Sequence, residues 1–134
     1  MSPRSPHGPT RQDLEALALA LPEVTREGTA EHPAYAVRGK KFLLWRGLRK
    51  DAVDPETGAL MPDVIAIVVP GPGDKEAILQ SGPPWFTTAH FDGYAYVLLR
   101  ERDLGLIDEV ELAEVITDAW ASRAPKRLVK ETLG

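Results

Sequence analysis

At 134 residues, 43% of them apolar and 27% charged, the chain fits one ordinary globular domain with enough length to close a single core. The lack of cysteine excludes disulfides, thiolate metal sites and cysteine nucleophiles together, and fits a reducing, cytoplasmic setting. A net charge of -4 sets a repulsive long-range field against a polyanion, so any nucleic-acid contact has to be local.

The first nine residues, MSPRSPHGP, hold three prolines and no apolar stretch, which reads as a disordered tail rather than a secretion signal. A single domain is expected over residues 10–134. Thr10 followed by Asp13 predicts a capped helix, with Leu14, Leu17, Ala18 and Leu21 at helical spacing and Pro22 as its stop. Val24, Thr25 and Thr29, interleaved with charges, predict an exposed or edge strand within residues 24–31.

The stretch HPAYAVRGKKFLLW, residues 32–45, predicts a β-hairpin with arms 34–37 and 40–45 and the turn Arg38-Gly39. Pairing Val37 with Lys40 and Tyr35 with Phe42 places Tyr35, Val37, Phe42 and Leu44 on one face, which goes to the core. Residues 47–61 have no usable period and read as a long loop. The apolar run over residues 63–69 fits a central buried strand and is far short of the roughly twenty residues that span a membrane. Pro70-Gly71-Pro72-Gly73 breaks that strand, and Asp74 then caps a short helix to Gln80, with Ile78 and Leu79 inward and Gly82 terminating it.

Residues 84–100, PWFTTAHFDGYAYVLLR, predict a second hairpin with Asp92-Gly93 as its turn and Phe91 facing Tyr94. Asp108 caps a last helix whose stripe is Leu112, Val115, Ile116, Ala119 and Trp120, ended by Ala124-Pro125. The order α-β(3 to 4)-α-β(2)-α predicts an α+β domain of two layers, a largely antiparallel sheet with helices on one face.

Four stretches, LPEV at 21–24, HPAYAVRGKKF at 32–42, FTTAHFDGY at 86–94, and DAW with APKRL at 118–120 and 124–128, resemble the MmcQ/YjbR-like family of small bacterial proteins. The resemblance runs through almost the whole domain. It implies a frataxin-like or secretion-chaperone-like α+β fold and a DNA-binding role through two β-hairpins that project as wings. Here the second tip, Asp92-Gly93, carries an acid and suits phosphate poorly.

The residues that carry a binding reading are Arg38, Lys40, Lys41, Arg46, Arg49 and Lys50, gathered in residues 38–50 without one acid, and a second basic window with Arg123, Lys126, Arg127 and Lys130. These would contact phosphates, with Tyr35 or Trp45 stacking on a base. A solvated tip with edge-guarding lysines explains the same pattern, and Arg123 suits the negative end of the last helix. Thr88, His90 and Asp92 alternate on a strand and resemble a base with its orienting carboxylate, but no nucleophile elbow accompanies them and Asp92 is explained by the turn. No catalytic residue is assigned. His32, beside Pro33, shapes the start of the hairpin. Three scattered histidines and acids without calcium-loop spacing give no metal site, and no cofactor is expected. The alternative to DNA is a protein partner held by a sheet face or edge, as an adaptor or chaperone-like module.

Overall fold

The computed structural model describes residues 8–48, 50, 52–88 and 94–134. The elements run α1 (Arg11–Leu19), β1 (Val24–Gly28), β2 (Pro33–Val37), β3 (Lys40–Trp45), β4 (Val64–Val68), α2 (Pro72–Gln80), β5 (Tyr96–Arg100), a 3-10 helix (Glu101–Leu106), α3 (Glu109–Arg123) and α4 (Lys126–Leu133). The five strands form an antiparallel meander in chain order. The predicted α+β architecture is therefore present, with α1 and α3 packed together on one face of the sheet. No helix among the described residues is long and apolar enough to cross a membrane.

Local chemistry sets the helix ends. The Thr10 hydroxyl accepts from the Asp13 N–H and the Asp13 carboxylate accepts from the Thr10 N–H, a reciprocal cap. Asp108 accepts from the N–H groups of Val110 and Glu111 at the start of α3. The α2 cap differs from expectation: the helix opens on Pro72, with Gly71 at its N-cap and no side-chain cap, because proline suits the first helical position. Gly82 follows at φ +91, as a terminating glycine should. Ala124-Pro125 ends α3, but a further helix, α4, follows with Pro125 as its N-cap residue. Pro9 is buried and Gly8 lies against Gly105, so ordered packing begins before Thr10, inside the expected tail.

The main core lies between the sheet and the helices. Tyr35, Phe42, Leu43, Ile65, Ile67 and Leu99 meet Leu14, Leu112, Ile116 and Trp120, all fully buried. One predicted register is corrected here. Val37 faces Lys40 and Ala36 faces Lys41, but Tyr35 then faces Leu43, leaving Phe42 as an extra residue in a β-bulge. Phe42 and Leu43 are both buried in the main core, and Leu44 turns to the opposite face. One inserted residue reverses the alternation beyond it.

The second face has its own small core of Ala52, Met61, Val64, Ala66 and Leu98, with Leu44 and Phe86 against it. Its cover comes from the stretch expected to be a long loop. Ala52 and Met61 are joined by a backbone hydrogen bond, Val53 and Leu60 by a β-bridge, and Asp54 to Gly58 closes the turn, so residues 52–61 make a small hairpin. Phe86 forms a bridge to Leu98 with paired hydrogen bonds of 2.9 Å. The expected register, Phe91 against Tyr94, would have set Phe86 opposite Leu99. Phe91 and the turn Asp92-Gly93 lie outside the described residues.

Candidate functional site

The β2–β3 turn matches expectation in position. Arg38 and Gly39 both have positive φ, +52 and +78, the pattern of the tight turn that follows the twist of paired strands. Arginine reaches this region only at a steric cost. Its guanidinium forks onto Glu23, itself at φ +59 between α1 and β1, through Nε to Oε1 and Nη2 to Oε2, the latter at 3.0 Å. The pair holds the Glu23 carboxyl below its ordinary range. Arg38 is thus part of a local clasp, whereas Lys40 and Lys41 stand exposed beside it.

What lies next to the tip follows from the contacts. Pro22, adjacent to Glu23, accepts a 3.0 Å hydrogen bond from the Trp120 indole N–H near the end of α3. Arg123, in the last turn of α3, reaches the Tyr96 hydroxyl at 3.5 Å, and Tyr96 opens β5. The C-terminal window therefore starts at the same end of the sheet as the tip. There, Lys126, Arg127 and Lys130 are exposed, and Arg127 pairs with Glu131 at 3.1 Å.

Other expected members of the site are elsewhere. Arg46 follows the last residue of β3, its N–H bonded to the Val64 carbonyl, so six strand steps of about 3.3 Å separate it from Lys40. Lys50 is exposed, and Arg49 lies outside the described residues. Tyr35 is fully buried and Trp45 is 4% exposed, ring against ring at 6.4 Å, so neither offers a stacking surface. Trp45 is held instead by a 2.6 Å hydrogen bond to Glu101 and by the Arg11 guanidinium 4.9 Å from its ring centre. The Tyr35 hydroxyl makes no well-formed hydrogen bond, and burial together with the Glu15 carboxylate pushes it up to about 12.

A feature the sequence reading missed sits at the far end. Arg100 on β5 bridges Asp54 and Asp63 with two bonds of 2.8 Å, and Arg102 reaches Asp54 at 3.5 Å. The side chains of Arg100 and Asp54 are only 11% and 8% exposed. The Glu56 N–H on Asp54 lowers that carboxyl most; burial opposes the shift and Arg100 reinforces it. Burial weakens the charged form of Arg100, and the two carboxylates more than offset this. The sequence signal was the turn Asp54-Pro55-Glu56-Thr57-Gly58, in which an aspartate bonds to the N–H two residues on. Next to the cluster is a groove of about 470 Å³ lined by Ala52, Met61, Phe86, Thr87, Thr88 and Arg102, among others. Thr88 is in it, while its expected partner His90 lies outside the described residues. Arginines in this cluster are bound to carboxylates, so it serves as a clamp for the 52–61 hairpin rather than an anion site.

No family model and no solved structure matches the chain. Over 112 residues the chain is 41% identical to uncharacterized proteins of Mycobacterium bovis (Mb2600) and of Mycobacterium tuberculosis (Rv2570 and MT2646), covering 78% of this chain and 84% of each of theirs. Identity of that extent over most of both chains shows common descent, and the chain belongs to the family of these mycobacterial proteins.

Proposed function

We propose that this protein binds DNA without a catalytic step, by phosphate contact at the tip end of the sheet. The observation that supports this reading is the exposure of Lys40 and Lys41 beside the β2–β3 turn, at the end of the sheet where α3 hands over to α4 with its exposed Lys126, Arg127 and Lys130. Lysine at such a place is a mobile point charge suited to a backbone of phosphates. The MmcQ/YjbR resemblance supports the same role. Tyr35, Trp45, Arg38 and Arg46 drop out of it, and with them any stacking on bases. The expected binding is weak, local and without sequence preference.

The test is a titration of labelled duplex DNA at several salt concentrations. About four phosphate contacts predict a slope of roughly -3 to -4 for log affinity against log salt. Lys40→Ala/Lys41→Ala should weaken binding about tenfold or more at low salt and reduce the slope by about 2. Absence of a complex at low salt, or indifference to the double substitution, sinks the proposal.

A further inference from the structure

The outer surface of the helical layer is the chemical opposite of the tip. Two adjoining depressions of about 310 and 640 Å³ run between α1 and α3 and share Leu17 and Glu109. Their floor is small and apolar, with Ala16, Ala20, Leu112 and Ala113. Among the described residues, the charged side chains that line them are all acidic: Asp13, Glu109, Glu114 and Asp118. Val110 on the rim is 63% exposed. A trough this apolar, ringed by one sign of charge, matches a helix that carries cations beside an apolar knob.

The chain contains such a helix. In α4, Lys126, Lys130 and Leu133 recur at i, i+4 and i+7 and so share one face. Leu128 and Val129 pack on the protein's own core, which turns the lysines outward, and Leu133 is 52% exposed. Glu114 and Asp118 on α3 are also one turn apart and exposed, so two cations spaced by a helical turn face two anions with the same spacing. We infer that the α1–α3 groove is the docking site for α4 of a second copy of this chain. Run antiparallel, Lys126 of one copy meets Asp118 of the other, Lys130 meets Glu114, and Leu133 reaches Val110 and Leu17. A two-fold axis repeats the contact, so each copy gives its α4 and receives the other's.

The contact is small and rimmed by exposed charge, which sets a weak, salt-sensitive dimer with a Kd of about 10–100 µM near 50 mM salt. Sedimentation equilibrium of the full chain tests it. The parent should be a reversible dimer at low salt, with affinity at least about tenfold lower near 500 mM salt. Glu114→Lys/Asp118→Lys should be monomeric, and so should Lys126→Glu/Lys130→Glu, since each sets like charges against each other. An equimolar mixture of these two variants should dimerise, because both contacts are complementary again. A parent that stays monomeric at about 500 µM and low salt overturns the inference. So does a charge-reversed variant that dimerises like the parent, or a mixture that stays monomeric while both variants keep the parent's circular dichroism. Leu133→Asp gives a separate reading through the knob and should weaken the dimer by at least about tenfold; unchanged affinity also overturns it. Lys126 and Lys130 serve both readings, so DNA and the second copy compete for them. Lys40→Ala/Lys41→Ala touches the DNA site alone and leaves this interface intact, so a failure of the DNA proposal and a failure of this one are read separately.

Discussion

The two ends of the sheet use positive charge in different ways. At the far end, three arginines are tied to carboxylates: Arg11 to Glu15 and Glu101, Arg100 to Asp54 and Asp63, Arg102 to Asp54. At the tip end the exposed cations include Lys40, Lys41, Lys126 and Lys130. A planar fork suits a fixed pair of oxygens and a flexible ammonium suits a partner that comes and goes. The far-end arginines hold the fold, while the tip-end lysines stand exposed.

The sharpest way to break this contrast is to substitute at the far end. Arg100→Ala leaves Asp54 and Asp63 facing each other without their bridge and frees the 52–61 hairpin from β5, so thermal melting should fall by roughly 10 °C. A change within about 2 °C in differential scanning calorimetry would place the clamp among ornamental surface pairs.

Acid should act on the same cluster. The Asp54 carboxyl is held below its ordinary value in the folded state, so its contribution is complete above the unfolded value and is lost as pH falls through the lower, folded one. Urea midpoints measured downward from pH 5 should decline less steeply in Asp54→Asn than in the parent. Equal slopes would count against it.

Alkali probes the buried tyrosine instead. The Tyr35 hydroxyl is pushed up to about 12 when folded, and an unfolded tyrosine ionises near 10. Stability is therefore intact below that unfolded value and declines between the two as pH rises. Tyr35→Phe should flatten the decline, and a parent insensitive to pH in that window would refute the assignment.

The tip should respond least. Arg38→Asn suits the positive φ better but opens the Glu23 clasp, and the two effects should cancel to within about 3 °C of melting temperature. Lys40→Ala/Lys41→Ala should move melting by less than about 2 °C while lowering affinity for DNA. A large loss of stability there would make these lysines structural.

The parts of this fold that could be read in advance rest on local signals. Thr10 with Asp13, Asp108, the run 64–68 and Arg38-Gly39 each determine their structure within a few residues. The bulge could not be read, because Phe42, Leu43, Leu44 and Trp45 are all apolar and offer no alternation to lock the register. The Arg100–Asp54 bridge joins residues 46 positions apart, so no local pattern announces it. Aromatic residues beside cations look alike in one dimension whether they stack on a ligand or on one another, and Tyr35 and Trp45 proved to do the latter. What did transfer was the exposure of Lys40 and Lys41, because a hairpin tip is exposed in any fold that contains it.

The bulge at Phe42 also gives the hairpin one spare residue. Tyr35 already faces Leu43 and Ala34 already faces Leu44, so the pairing beyond the bulge runs as if Phe42 were not in the count. Losing one residue there would close the ladder into regular register and leave Leu43, Leu44 and Trp45 on the sides they now occupy, at the cost of the buried Phe42 ring. A single insertion in the same arm has no such slack, whereas the turn at Gly39 has open space around it.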